Sequence, residues 1–164
     1  MFGNVQEIID FHKKYFTPTL RKADGNSEKL LYLLKHRNRE MKGLYGKFCI
    51  NKTKSTYIIS QHRDFMEQLR TFAQSKYGLS DLLDLIVLRT TQYKMLFDEV
   101  ARLSRAAEQE QEFAVFSECS GLAHELAKVA DTMMTAGNIE DFAKVGKGLN
   151  ETNFKNTQSP QNLH

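Results

Sequence analysis

The groups that could do chemistry in this chain are five histidines, two cysteines and a scatter of carboxylates. His12, His36, His62, His124 and His164 form no HExxH and no His/Glu pair at metal-ligand spacing. Glu118 and His124 stand six positions apart, so they would not face each other on a helix. Cys49 and Cys119 lie seventy positions apart, which makes neither a CxxC, nor a zinc spacing, nor a disulfide framework. A reducing, cytoplasmic setting is the reading. Cys119 has no nearby base to lower its pKa and reads as a structural thiol. Phosphate-loop, dinucleotide and nucleophile-elbow patterns are all missing. The phrase Asp24-Gly25-Asn26-Ser27 opens like a calcium loop, but the bidentate glutamate that such a loop needs near its end is not there. No metal, no cofactor and no catalytic side chain are expected, so the chain should work by recognition.

Composition narrows the kind of recognition. The chain has 164 residues, 41% hydrophobic and 26% charged, with eleven Phe, six Tyr and no Trp. One domain of that length can bury roughly 70% of its unfolded surface. Net charge is +3 but uneven: residues 1–77 hold 15 Lys/Arg against 7 Asp/Glu, and residues 78–164 hold 8 against 13. No basic cluster is dense or interleaved with stacking aromatics, so nucleic acid is not an expected partner. No apolar run approaches a membrane span, and the opening residues lack the regions of a signal peptide, so no membrane insertion is expected.

Apolar residues recur at steps of three and four nearly throughout, which predicts an elongated all-α helical bundle. The first helix carries Val5, Ile8, Phe11, Tyr15 and Phe16, with Asn4 and Glu7 as a capping box. Pro18 should kink or end it near Thr17. A turn at Ala23–Ser27 precedes a second helix running to Cys49, and Asn51–Ser55 reads as a break. The third helix runs from Tyr57 to Phe72 and should stop at Gly78. Ser80 and Asp81 cap the fourth, whose run Leu82, Leu83, Leu85, Ile86, Val87, Leu88 predicts a central, largely buried helix. The fifth begins near Phe113 and should end at Gly137-Asn138. Residues 1–142 are expected to form the helical domain, and 143–164, rich in Asn, Gln, Gly and Thr, a flexible tail or linker.

Several phrases carry a resemblance. Met1-Phe2-Gly3-Asn4-Val5-Gln6-Glu7-Ile8-Ile9-Asp10-Phe11-His12 resembles the phrase I/L-F-G-N-I/V-x-E-I-Y-x-F-H of Dbl-homology domains, the exchange modules for Rho-family GTPases. Lys47–Lys52 is similar to the family's Y-C-x-N-K-P, and Arg89–Val100 to its longest helix. Lys128–Met134 is similar to the last helix's A-V-N-D-x-M-H. The likeness covers about residues 1–142, in order, and looks nearest to the subgroup of Trio, kalirin, Dbl and puratrophin.

The resemblance implies a guanine nucleotide exchange factor for a Rho-family small GTPase. The implied GTPase-facing residues are Glu7 and Asp10 in the opening helix, Arg89, Gln92, Lys94 and Glu99 in the long helix, and Ala130, Asp131 and Met134 in the last. All nine are expected on one face. Three departures from the family pattern bear on activity. The family's glutamate-bearing first helix would lie upstream of Met1, its T-K-Y lysine is here Gln92, and its V-N-D asparagine is here Ala130. Such losses of charge-assisted bonds cost ~1.5–3 kcal/mol each at a buried interface. The resemblance therefore leaves two functions open: a weakened exchange factor, or an exchange-inactive interaction module. Without that first helix, an apolar groove lined in part by Phe2, Phe11 and Tyr15 is expected to take a protein partner or a second copy.

Overall fold

A computed structural model describes residues 2–156, and side chains as far as residue 139. Every regular element among the described residues is helical. Helix α1 (Val5–Phe11) passes through a π-helical turn (His12–Phe16) into α2 (Thr17–Ala23). Then come α3 (Ser27–Gln61), α4 (Arg63–Phe72), α5 (Leu79–Ala106) and α6 (Glu110–Asn156). Helix α6 is the spine: it packs along both α3 and α5, which touch each other much less.

The seam between α3 and α6 is built from small residues at heptad spacing. Ala123, Ala130 and Gly137 of α6 are all buried. At Gly137 a Cβ would stand 2.6 Å from the Ile50 carbonyl oxygen. The expected helix stop is therefore a crossing point, where the missing side chain lets two backbones touch. Against these residues α3 sets Met41, Tyr45, Phe48 and Cys49, all 3% exposed or less. Burial pushes both thiols, Cys49 and Cys119, up to about 11, which suits inert core groups.

Four boundaries differ from expectation. Pro18 does not end the first helical stretch, because the wider π turn immediately ahead of it takes up the strain a proline puts on the preceding turn. The Asn51–Ser55 break does not exist either, and the real interruption is at His62. Asn51 and Ser55 bond backward to the Lys47 and Asn51 carbonyls, and buried Lys52 pairs with Asp84 at 2.5 Å. The Lys52–Asp84 pair, with the Thr53 hydroxyl donating to Asn138 Oδ1 of α6 at 2.8 Å, ties this stretch to α5 and α6 and overrides its weak helix propensity. Gly78 starts α5 rather than stopping α4, since its N–H donates to Asp81 Oδ2 at 3.0 Å. Gln74, with φ of 50°, follows α4 instead. Of the expected tail, residues 143–156 continue the α6 backbone and residues 157–164 lie outside the described residues.

The largest correction concerns the leucine-rich run. It does not make α5 central: of Leu82–Leu88 only Leu83 is buried, while Leu82, Leu85 and Leu88 are 41–47% exposed. The groove expected around Phe2, Phe11 and Tyr15 is also absent as drawn. Phe11 is core, Tyr15 is half-buried beneath the Arg37 guanidinium, and only Phe2 is exposed.

Candidate functional site

Helix α1 is pinned to α3 by three contacts. Ile8 and Phe11 enter the core, the Asn4 side-chain amide donates to the Leu44 carbonyl at 2.9 Å, and Lys47 Nζ meets Glu7 Oε1 at 2.7 Å. The predicted capping box is thus spent on tertiary bonds: Asn4 makes no side-chain cap. The π turn then swings His12 toward α3, where its Nε2 lies 3.0 Å from the Tyr45 hydroxyl. The His12 ring sits edge-on to Phe11, Phe16 and Tyr45.

Across from these residues α5 presents Leu85, Ile86, Arg89 and Tyr93. Together with Ile8, His12 and Tyr45 they line an open cleft of about 350 Å³. Arg89 is its one permanent charge. It is exposed, and no carboxylate among the described residues comes within ion-pair distance. Burial, and then the Arg89 charge, hold the His12 pKa below its ordinary value. Burial raises both Tyr45 and Tyr93 above the usual tyrosine range. At neutral pH the histidine is therefore neutral and both phenols keep their protons. The cleft offers hydrogen-bonding groups and one fixed guanidinium, a combination suited to holding an acidic or phosphorylated surface.

The nine residues taken from the resemblance do not share one face. Glu7 and Asp10 stand exposed on α1 and do not line the cleft. Glu7 is paired with Lys47. Asp10, two residues from both Ile8 and His12 and so round the helix from them, accepts a bond from Gln6 at 2.8 Å. Arg89 stands at the mouth of the cleft. Gln92 and Glu99 lie on the outward side of α5, with Glu99 bonded to Arg102 at 2.9 and 2.7 Å. Lys94 is two residues from Gln92 and so lies round the helix from it. It sits 3.7 Å from Asp98, which also takes the Ser120 hydroxyl. Ala130 is 2% exposed and belongs to the core, so its methyl cannot meet a partner. Asp131 is exposed on α6. Met134 is half-buried and lines a separate cleft with Lys52, Thr56 and Tyr57 of α3.

His12, Tyr45 and Tyr93 were not among the expected site residues. His12 does follow Ile8 by one helical turn, a spacing that could have placed it on the same side. Tyr45, by contrast, reaches the cleft only through the packing of α3. No group of three or more His, Cys, Asp or Glu among the described residues could hold a metal ion. No described helix is long and apolar enough to cross a membrane.

A family model for the RhoGEF domain matches residues 1–131. Rho guanine nucleotide exchange factor 25 of Rattus norvegicus is 30% identical over 167 residues, covering 96% of this chain and 28% of that protein. Guanine nucleotide exchange factor DBS of Homo sapiens is 27% identical over 154 residues, covering 88% of the chain and 13% of that protein. Puratrophin-1 of Homo sapiens is 26% identical over 130 residues, covering 76% and 10%. The chain spans less than a third of the length of each.

Proposed function

The chain belongs to the RhoGEF domain family, and from that premise we propose that it engages a Rho-family small GTPase in the cytoplasm and speeds release of its guanine nucleotide. The observation that carries this reading is Arg89, a guanidinium with no acid partner at the mouth of a cleft between α1 and α5.

Exchange of this kind needs no nucleophile. A partner that binds the empty GTPase more tightly than the loaded one must weaken nucleotide binding by the same factor. The protein's contribution is differential binding, which fits a site holding a neutral histidine and two protonated tyrosines. Gln92 offers the GTPase a neutral amide where the family pattern has a lysine, and buried Ala130 offers nothing. Both favour slow exchange. They also favour a second reading, in which the domain binds a partner without driving exchange.

The test is release of a fluorescent guanine nucleotide from a panel of Rho-family GTPases with the chain in excess. Acceleration that Arg89→Ala reduces by about tenfold or more, the loss of ~1.4 kcal/mol or above, supports exchange through this cleft. Gln92→Lys, on an exposed helix face, should raise the rate. Binding to nucleotide-free GTPase without acceleration would establish the second reading, and no binding to any GTPase would overturn both. Ala130→Asn is a poor rescue, because it would bury an amide in the α3–α6 seam and cost ~1–3 kcal/mol of stability.

A further inference from the structure

Helix α5 turns Leu83, Thr90, Phe97, Ala101 and Ser104 inward. On its opposite side Leu82, Leu85, Leu96 and Leu103 stand 41–56% exposed. With Arg89, Gln92 and Glu99 between them, these residues recur at alternating steps of three and four. That is the a/d seam of a coiled coil, and among the described residues no element covers it. Four exposed leucines at seam positions, interspersed with one cation, one amide and one carboxylate, make this face of a water-facing helix a candidate interface.

The spacing of the stripe is also symmetric about residue 94. Leu85 and Leu103 are equidistant from that centre, as are Arg89 and Glu99, and Gln92 and Leu96. We propose that a second copy of this chain docks here, α5 against α5 and antiparallel. The layers are then Leu85 on Leu103, Arg89 on Glu99, and Gln92 on Leu96, each made twice. They alternate a with d, as an antiparallel seam requires. A parallel pairing in register would set Arg89 on Arg89 and Glu99 on Glu99, so the charges select the antiparallel arrangement. Arg89 has no competing acid among the described residues, and Glu99 has only its exposed bond to Arg102, a contact of small worth. Gln92 and Leu96 lie equally near the two-fold axis, so the Arg89–Glu99 layers fix the register.

This pairing rests on exposure and charge order, not on the exchange reading, but it bears on it. Arg89, Gln92 and Glu99 would be covered, so a GTPase and a second copy would compete for one surface, and the dimer would be the resting form.

Sedimentation velocity of the 164-residue chain, over a wide concentration range and with no GTPase present, tests the pairing independently of exchange. The mass should rise from 18.9 kDa to twice that value. Arg89→Glu and Glu99→Arg, each alone, should raise the dimer Kd at least ~10-fold, and the two together should restore it to within ~3-fold. Leu96→Asp should abolish dimerisation, with circular dichroism confirming that each variant remains helical. A monomer at every concentration overturns the proposal. So does a dimer that none of these changes weakens, or one the double reversal fails to restore.

Discussion

The α3–α6 seam and the outward side of α5 make an instructive pair. On the α6 side the seam is composed of modest residues, Cys119, Ala123, Ala130 and Gly137, and these receive Met41, Tyr45 and Phe48 of α3. The outward side of α5 carries Leu82, Leu85, Leu88, Leu96 and Leu103, each 41–56% exposed, yet it faces water. Leucine content alone thus decided neither position. What decided them was fit. Small residues at heptad spacing on α6 leave room for Met41, Tyr45 and Phe48 of α3 and, at Gly137, let two backbones touch. A leucine stripe lacking a matching groove stays outside.

The sharpest way to break this contrast lies within one helix. Leu83→Ala should cost ~2–5 kcal/mol in urea denaturation, because its 3% exposed side chain leaves a cavity. Leu85→Ala, two positions on and 44% exposed, should cost well under ~1 kcal/mol. Equal losses would mean that the outer side of α5 is already covered. A smaller effect separates two glycines of α6. Gly137→Ala forces a Cβ against the Ile50 carbonyl and should cost ~1–3 kcal/mol. Gly121→Ala meets nothing within 4 Å and should gain up to ~1 kcal/mol from helix propensity.

The smallest expected effect is linked to pH. In the folded protein His12 titrates below its usual 6.5, so the unfolded chain takes up that proton first. Its contribution to stability is complete above that pH and is lost as pH falls through it toward the folded value. His12→Gln should flatten this part of the stability profile. The loss at lower pH, from carboxylates such as Glu125 held below their ordinary value by Lys42, should remain.

Much of this was legible from residue order alone. Three-and-four spacing identified an all-helical chain, and the phrase around Phe2–His12 identified the family. Helix continuity through Asn51–Ser55 was not legible, because the side-chain propensities there are worth only tenths of a kcal/mol. The outcome turned on Asp84, thirty-odd positions away. Gly137 was misread for a related reason: a glycine ends helices when it needs a left-handed turn and joins them when it needs closeness, and only the partner helix tells which. At the cleft, Arg89 was named by resemblance and His12 stands one helical turn after Ile8, whereas Tyr45 became its neighbour only through the packing of α3. Ala130 looked like a surface departure from a family motif and proved to be core.

That π turn has a genetic consequence. A π turn is in effect a one-residue insertion within a helix. Deleting one residue between His12 and Phe16 would restore ordinary winding with the two flanks nearly in phase, whereas inserting one more would rotate everything on one side of it by about 100°. Either Ile8 and Phe11 would leave the core, or Ala23 would. This short stretch should therefore accept point substitutions at Lys13 and Lys14, both exposed, and tolerate a one-residue deletion far better than a one-residue insertion.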